Sequence, residues 1–310
     1  MRIGVIGRSE FVYDTMKKLL ELGHEIAFIV TAKAAPEYTV TRDDFQAFAE
    51  KNNIPFLYDP RVKAQKIIDI TSGINAEICI SVNYSGVIEQ EVVSLFPLGI
   101  LNAHGGDLPK YRGNACQAWA IINGEERIGL CIHQMIGGEL DSGPIIERDF
   151  FPLDINTRIK QVYEWIEFRI PDMMISAIMN LSRNSRYALE IQSTDPQYAL
   201  RCYPRIPDDG RIEWDKSNIE IIRLINASSE PYSGAFTYNG GVKIIIWRAN
   251  LIEHKEKYLA VPGQIASIDK STGNVLVITG DGIIAITEIE VEGWRGNASI
   301  YFKSIRNRLK

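Results

Sequence analysis

Asn102, His104 and Asp141 place an amide donor, a proton carrier and a carboxylate within about forty residues of one another, among short apolar runs and glycine-rich turns. An unperturbed imidazole changes charge close to neutral pH, so it can take up or release a proton during a reaction. An amide N–H aimed at an oxygen stabilises negative charge as it develops there. A carboxylate beside the imidazole holds its orientation and balances the imidazolium form. The trio suits proton transfer coupled to oxyanion stabilisation, and the rest of the chain must position the stretch Leu101–Ile146 that contains it.

The elements around the trio can be read from spacing. Pro97–Leu101 reads as a buried strand from whose end Asn102 and His104 emerge two residues apart, so the period of two aims both side chains to one side. In the turn Asp107–Gly113, Pro109 fixes φ and Gly113 permits positive φ, which lets the backbone approach a ligand closely. A helix-like segment Asn114–Ile122 and an alternating strand Arg127–Met135 follow, and the loop Ile136–Pro144 returns Asp141 as the orienter of His104. His133, inside that strand, reads as a packed or hydrogen-bonded sheet residue. His104, Asp107, His133 and Asp141 are of metal-ligand type, but neither a His-x-x-x-His pair nor a cysteine pair anchors them, and no metal is expected.

Asn102-x-His104, the turn Leu108-Pro109-x-x-Arg112-Gly113 and the run Leu140-Asp141-Ser142-Gly143-Pro144 resemble the signature of the 10-formyltetrahydrofolate-dependent formyltransferases. Where that pattern usually carries Ser-Leu-Leu-Pro, this chain has Gly106-Asp107-Leu108-Pro109, a departure on the substrate side of the pocket. The resemblance implies an amine acceptor, a formyl group already activated on the folate, and no covalent enzyme intermediate. Asn102 would stabilise the oxyanion, His104 take the amine proton, and Asp141 hold the imidazole and stabilise its protonated form. Cofactor contacts are expected from Asn83, Tyr84, Gly86 and Val87, and from Ile136 and Gly137. Substrate contacts are expected from Gly7, Arg8, Asp107, Lys110, Tyr111 and Arg112, with Asp107 open to a second reading as a solvated turn residue.

The order of elements is that of an α/β protein with a second, all-β part. Arg2–Gly7, a helix with Val12, Met16, Leu19 and Leu20 at helical spacing, and Ile26–Val30 form a βαβ unit of a parallel, Rossmann-like sheet. Gly4-x-x-Gly7 lacks the third glycine of a dinucleotide fingerprint and no acidic residue ends the second strand, so NAD is not expected. Gly7 and Arg8 remain open to either a plain tight turn or a phosphate contact at the helix start. Thr41-x-x-Asp44 resembles a capping box, Ala76–Val82 reads as a buried strand, and Asn83–Ile88 lies at its carboxyl end, where open α/β sheets bind ligands. Thr157–Leu181 has helical spacing, with Pro171 predicting a kink or restart, and the polar Ser182–Gln197 reads as a linker. Beyond a helix at Asn218–Asn226, five strands separated by glycine turns between Gly234 and Val291 predict a small β-barrel or sandwich. The passages Arg205–Trp214 and Pro231–Phe236 resemble the linker and OB-like barrel of two-domain formyltransferases, closest to those acting on UDP-linked amino sugars. The expected division is 1–182 for the catalytic domain, 183–204 for the linker and 205–310 for the barrel.

Charge bears on the partner. The chain of 310 residues carries 34 Lys+Arg and 39 Asp+Glu, and 14 against 13 of these fall in 205–310. A near-neutral barrel without a basic run is a poor grip for a phosphate backbone, so a small nucleotide-linked amino sugar is preferred over methionyl-tRNA, and the resemblance implies one of the UDP-linked 4-amino-4,6-dideoxy type. A non-catalytic scaffold that binds a nucleotide sugar or a partner protein is the remaining alternative. Cys79, Cys116, Cys131 and Cys202 lie far apart without Cys-x-x-Cys spacing and read as free thiols. With no signal-peptide pattern and no apolar run of membrane-spanning length, a cytoplasmic protein with no membrane partner is expected. Pairing of two chains into a homodimer is left open.

Overall fold

The computed structural model describes residues 1–71, 75–253, 256 and 258–310. The chain divides into two units, each built from several segments: residues 1–116, 128–151 and 163–202 form the first, and 117–127, 152–162 and 203–310 the second. Among the described residues no helix is long and apolar enough to cross a membrane.

The first unit holds a seven-stranded sheet. Its strands are β1 (Arg2–Gly7), β2 (Glu25–Thr31), β3 (Phe56–Tyr58), β4 (Ile78–Val82), β5 (Ile100–His104), β7 (Arg127–Gln134) and β8 (Ile145–Pro152), in spatial order β3-β2-β1-β4-β5-β7-β8. A separate short pair joins β6 (Arg112–Gly113) to β9 (Arg201–Cys202). The first five sheet strands run parallel and β7 runs antiparallel to β5. Continuous apolar strands such as Ile78-Cys79-Ile80 and Ile3-Gly4-Val5-Ile6 are buried, as a parallel sheet covered on both faces requires. The helix Glu10–Glu21 buries Val12, Met16 and Leu19 on one face. The helix Arg42–Lys51 starts on the expected capping box, with the Thr41 and Asp44 side chains each accepting from the other's backbone N–H. The sheet order reverses direction between β1 and β4, so their carboxyl ends form the crevice where such folds take ligands.

Three features of this unit depart from the reading of the sequence. The strand expected at Pro97–Leu101 begins at Ile100 and ends at His104, so Asn102 and His104 lie within the sheet rather than beyond it. Gly99, at φ +75°, donates its N–H to the Phe96 carbonyl in a turn that keeps 97–99 out of the strand. The helix Ile159–Arg183 runs on through Pro171, so of the expected kink or restart the restart does not occur. The polar stretch read as a linker is packed on the unit: Ile145 and Glu190 exchange backbone bonds, and β9 pairs with β6. Most of the stretch is exposed, and Gln192 is its one buried residue.

The second unit contains an antiparallel sheet in the order β10 (Ala235–Asn239), β11 (Val242–Leu251), β14 (Ile283–Val291), β13 (Val275–Ile278), β12 (Ile265–Ile268), with β15 (Trp294–Asn297) beside β14. β15 was not expected, because Trp294-Arg295-Gly296-Asn297 has no apolar alternation. The chain's last residues join the two outer strands: Leu309 bridges to Asn239, and Arg308 bridges to Gln264. The sheet thereby closes around a core of Ile244, Ile246, Val275, Val277, Ile284, Ile286 and Phe302. The helix Asn218–Ser228, capped by Ser217 and Glu220, adds Ile221, Ile222 and Ile225 to that core.

Candidate active site

β5 and β7 set the site by register. Asn102 stands opposite His133 and His104 opposite Cys131, and residues two apart on a strand share a face, so all four side chains project to the same side. Asn102 Nδ2 lies 3.1 Å from His133 Nε2. His104 Nε2 lies 2.7 Å from the carbonyl oxygen of Tyr111. A carbonyl only accepts, so this nitrogen carries the hydrogen and Nδ1 is the basic one. The bond forms because the turn after β5 folds back over the ring, with Tyr111 itself at φ +52°. Gly106 makes room for it: a Cβ there would stand 2.1 Å from the Tyr111 oxygen and 2.5 Å from His104 Nε2. In the conformation this turn adopts, the glycine leaves the space that the Tyr111 carbonyl and the His104 ring occupy.

Asp141 arrives from the loop between β7 and β8 in the left-handed region, at φ +48°. Its Oδ2 accepts from the Gly113 N–H at 2.9 Å and lies 3.5 Å from His104 Nδ1, while Oδ1 lies 3.6 Å from His133 Nε2. Burial pushes this carboxyl up, but the facing His104 and His133 rings and the Gly113 N–H outweigh it and hold Asp141 well below the usual carboxylate range. It is ionised at neutral pH. The orientation of His104 therefore comes from the Tyr111 carbonyl, and Asp141 supplies negative charge beside the basic nitrogen. Gln192, from the supposed linker, is buried and donates to the carbonyls of both Asp141 and Gly143, at 2.9 and 2.7 Å.

Residues 1–178 match the formyl transferase family model, and 206–303 match its C-terminal domain. The chain belongs to the formyl transferase family. A methionyl-tRNA formyltransferase of Pelotomaculum thermopropionicum is 28% identical over 298 residues, covering 95% of this chain and 92% of that protein. Further relatives at 24 to 27% identity bear the same name. Among solved structures, the sugar 3N-formyl transferase WlaRD, crystallised with dTDP and 5-N-formyl-THF, superposes with TM-score 0.69 at 19% identity, covering 95% of this chain and 98% of its own. HypX of Aquifex aeolicus in complex with tetrahydrofolic acid superposes with TM-score 0.61 at 18% identity, and this chain spans 47% of it.

In this formyl transferase the residues expected at the cofactor come together from two loops. Gly138 N–H donates to the Ile88 carbonyl, and Gly137 N–H donates to Gln90 Oε1, which joins the loop after β4 to the loop after β7. Val87 and Ile136 are exposed there. Tyr84 and Gly86 serve the loop itself: the Tyr84 hydroxyl donates to the Asp59 carbonyl and accepts from the Val62 N–H, and a Cβ at Gly86 would meet the Pro60 carbonyl. Asn83, at φ +57°, reaches Ser9 with its side chain and accepts Arg8 Nε on its carbonyl at 2.6 Å. Gly7 and Arg8, expected at the substrate, therefore stand with the loop after β4, where cofactor contacts are expected. Gly7 is also fixed by packing, since a Cβ would lie 2.7 Å from both Val12 and the Val82 carbonyl.

The turn expected at the substrate is more engaged than a solvated loop. Asp107 Oδ1 faces Arg148 Nη1 at 3.7 Å, and Arg148 also donates to the Leu108 carbonyl and pairs with Glu190. Arg112 points Nη2 at Gln192 Oε1, 3.5 Å away. Tyr111 is buried and presents its carbonyl to His104, and Lys110 is exposed. His133 and Gln192 were missed as site residues. For His133 the signal was its distance of one strand from Asn102; Gln192 had none, since the two carbonyls its amide N–H groups reach lie about fifty residues away in sequence and belong to the main chain.

Proposed function

We propose that the protein transfers the formyl group of 10-formyltetrahydrofolate to the amine of a nucleotide-linked amino sugar, a UDP-linked 4-amino-4,6-dideoxy hexose being the expected acceptor. The observation that carries formyl transfer is Asn102, His104 and Asp141 on one side of β5, with the basic nitrogen of His104 turned toward an ionised carboxylate. The loops bearing Asn83–Val87 and Ile136–Gly137 fit a folate: they meet at the carboxyl end of β4 and leave Val87, Ile136 and Leu140 exposed for a flat apolar ring. When bound, the folate supplies an activated formyl group.

The chain's own residues handle charge and proton. His104 takes the amine proton at Nδ1, because Nε2 is committed to the Tyr111 carbonyl. The imidazolium so formed lies between that carbonyl and Asp141 Oδ2, both of which favour it. Asp141 can pass the proton onward toward the departing nitrogen. Asn102 gives an amide N–H to the oxygen on which negative charge grows, a contribution of about 2.7–4 kcal/mol for one such donor.

The small acceptor is supported by the balance of charge in the second unit. Arg158 and Arg295 are paired with Glu230, and Arg248 and Arg295 with Glu288, so these cations are neutralised within the unit rather than presented to a phosphate chain. The end-to-end superposition on a sugar formyl transferase points the same way. Methionyl-tRNA is the second reading, favoured by the names of the sequence relatives and by Lys303, Arg306, Arg308 and Lys310, four exposed cations close together at the end of the chain. Formyl transfer assayed side by side on UDP- and dTDP-linked amino sugars and on methionyl-tRNA separates the two. The sugar assignment predicts the higher kcat/KM on a nucleotide sugar; a higher value on methionyl-tRNA at physiological salt overturns it.

A further inference from the structure

His133 lies outside the trio, yet it touches Asn102 and faces Asp141. Its ring is fully enclosed. The Nδ1 atom stands 3.0 Å from the carbonyl oxygen of Gln134, which can only accept, so Nδ1 carries the ring hydrogen. A neutral imidazole has one N–H, and Nε2 is then left with a lone pair. That lone pair meets Asn102 Nδ2 at 3.1 Å, whereas Asp141 Oδ1 is at 3.6 Å, beyond hydrogen-bond range. Were Nε2 to hold the hydrogen instead, donor would face donor, and Asn102 would have to turn its carbonyl oxygen toward the ring.

We propose that His133 is a positioning residue: held in the Nδ1–H tautomer by the Gln134 carbonyl, it accepts one N–H of Asn102 and so fixes which end of that amide faces the reaction, leaving the second N–H for the developing oxyanion. With Asn102 as the oxyanion donor, as read above, the two histidines are set as opposite tautomers by two backbone carbonyls. Tyr111 makes His104 basic at Nδ1, and Gln134 makes His133 an acceptor at Nε2. The groups facing the His133 ring are Asn102 from β5, Asp141 from the following loop, and His104, whose ring centroid is 6.4 Å away.

The first test needs no turnover. The chain has four histidines, so histidine-selective ¹⁵N labelling of the wild-type protein resolves each ring, with His104→Asn and His133→Gln giving the assignments. At neutral pH His133 should be the Nδ1–H tautomer and His104 the Nε2–H tautomer. An Nε2–H or doubly protonated His133 overturns the proposal, whatever the enzyme's substrate. The second test is kinetic. His133→Leu, which removes the acceptor, should lower kcat about 10- to 100-fold, part of what the donor itself is worth, with both KM values within about threefold of wild type. His133→Gln, whose Oε1 can accept the same N–H, should restore kcat to within about fivefold of wild type. Adding His133→Leu to Asn102→Ala should cost nothing more, because the residue acts through Asn102. An unchanged kcat in folded His133→Leu, or an equal loss in the Asn102→Ala background, overturns the positioning role. Failure of the wild type to formylate any acceptor refutes the functional reading instead and leaves the tautomer result to decide the placement of Asn102.

Discussion

Gly106→Ala is the smallest change that should disable the site, and the structure gives its size. The added methyl would lie 2.1 Å from the Tyr111 carbonyl oxygen, 1.3 Å inside the 3.4 Å at which ordinary contact begins, and 2.5 Å from His104 Nε2. Neither neighbour is a flexible chain end: one is backbone and the other is a ring enclosed in the sheet. Relief requires the turn at Tyr111 to lift or the imidazole to rotate, and either breaks the 2.7 Å bond that makes Nδ1 the basic nitrogen. Overpacking costs about 1–3 kcal/mol and the lost hydrogen bond about 0.5–1.5 kcal/mol, so destabilisation of about 2–4 kcal/mol is expected. Displacement of a catalytic group by about 1 Å can cost about 10²-fold in rate, and loss of general base function about 10²- to 10⁴-fold. Urea denaturation measures the first quantity and single-turnover formyl transfer the second. A variant with an unchanged urea midpoint and kcat within about threefold of wild type would refute the role given to Gly106 and to the Tyr111 carbonyl.

Asn102→Ala should lower kcat about 10²- to 10³-fold with little change in KM, as loss of an oxyanion donor does, in steady-state assays with saturating donor. Asp141→Asn should be destabilised at pH 7, with the gap to wild type narrowing in acid. The folded carboxyl titrates below its unfolded value of about 3.9, so its contribution is complete above about pH 4 and disappears as pH falls through the folded value; urea midpoints across that range measure it. Gln192→Leu leaves the Asp141 and Gly143 carbonyls without their donor at a cost of about 1–3 kcal/mol for each buried group, and amide hydrogen exchange in 138–144 should rise ahead of global unfolding. Glu230→Gln in the second unit should cost less than about 1 kcal/mol by thermal melts, because its side chain is 36% exposed and solvent screens both arginine pairs.

The elements of both units were legible in the sequence wherever a pattern repeats locally: the βαβ opening, the capping box at Thr41, and the antiparallel strands punctuated by glycine. The trio was legible because its residue types are rare together and its spacing follows a strand. The positions that were misread owe their conformation to partners distant in sequence. Gly99 ends a turn rather than continuing a strand because its N–H goes back to Phe96. The polar 182–197 stretch is largely exposed, yet Glu190 and Gln192 satisfy main-chain groups of Ile145, Asp141 and Gly143. Hydrogen bonding to backbone leaves no periodicity for a sequence to display.

That difference says where the specificity of the site resides. Each ionisable side chain is set by a main-chain group: His104 by the Tyr111 carbonyl, His133 by the Gln134 carbonyl, Asp141 by the Gly113 N–H. A carbonyl or an N–H is present whatever side chain the residue carries, so what these contacts ask of Tyr111, Gln134 and Gly113 is their backbone conformation. Tyr111 at φ +52° and Asp141 at φ +48° add that the loops themselves sit in a region most side chains avoid. Gly113 N–H to Asp141 and Gln192 to the Asp141 carbonyl hold that conformation from both sides. The turn after β5 and the segment 190–202 therefore act as one support, tied together by the β6–β9 pair, and a substitution that loosens either should reach the trio through the backbone before it reaches any substrate.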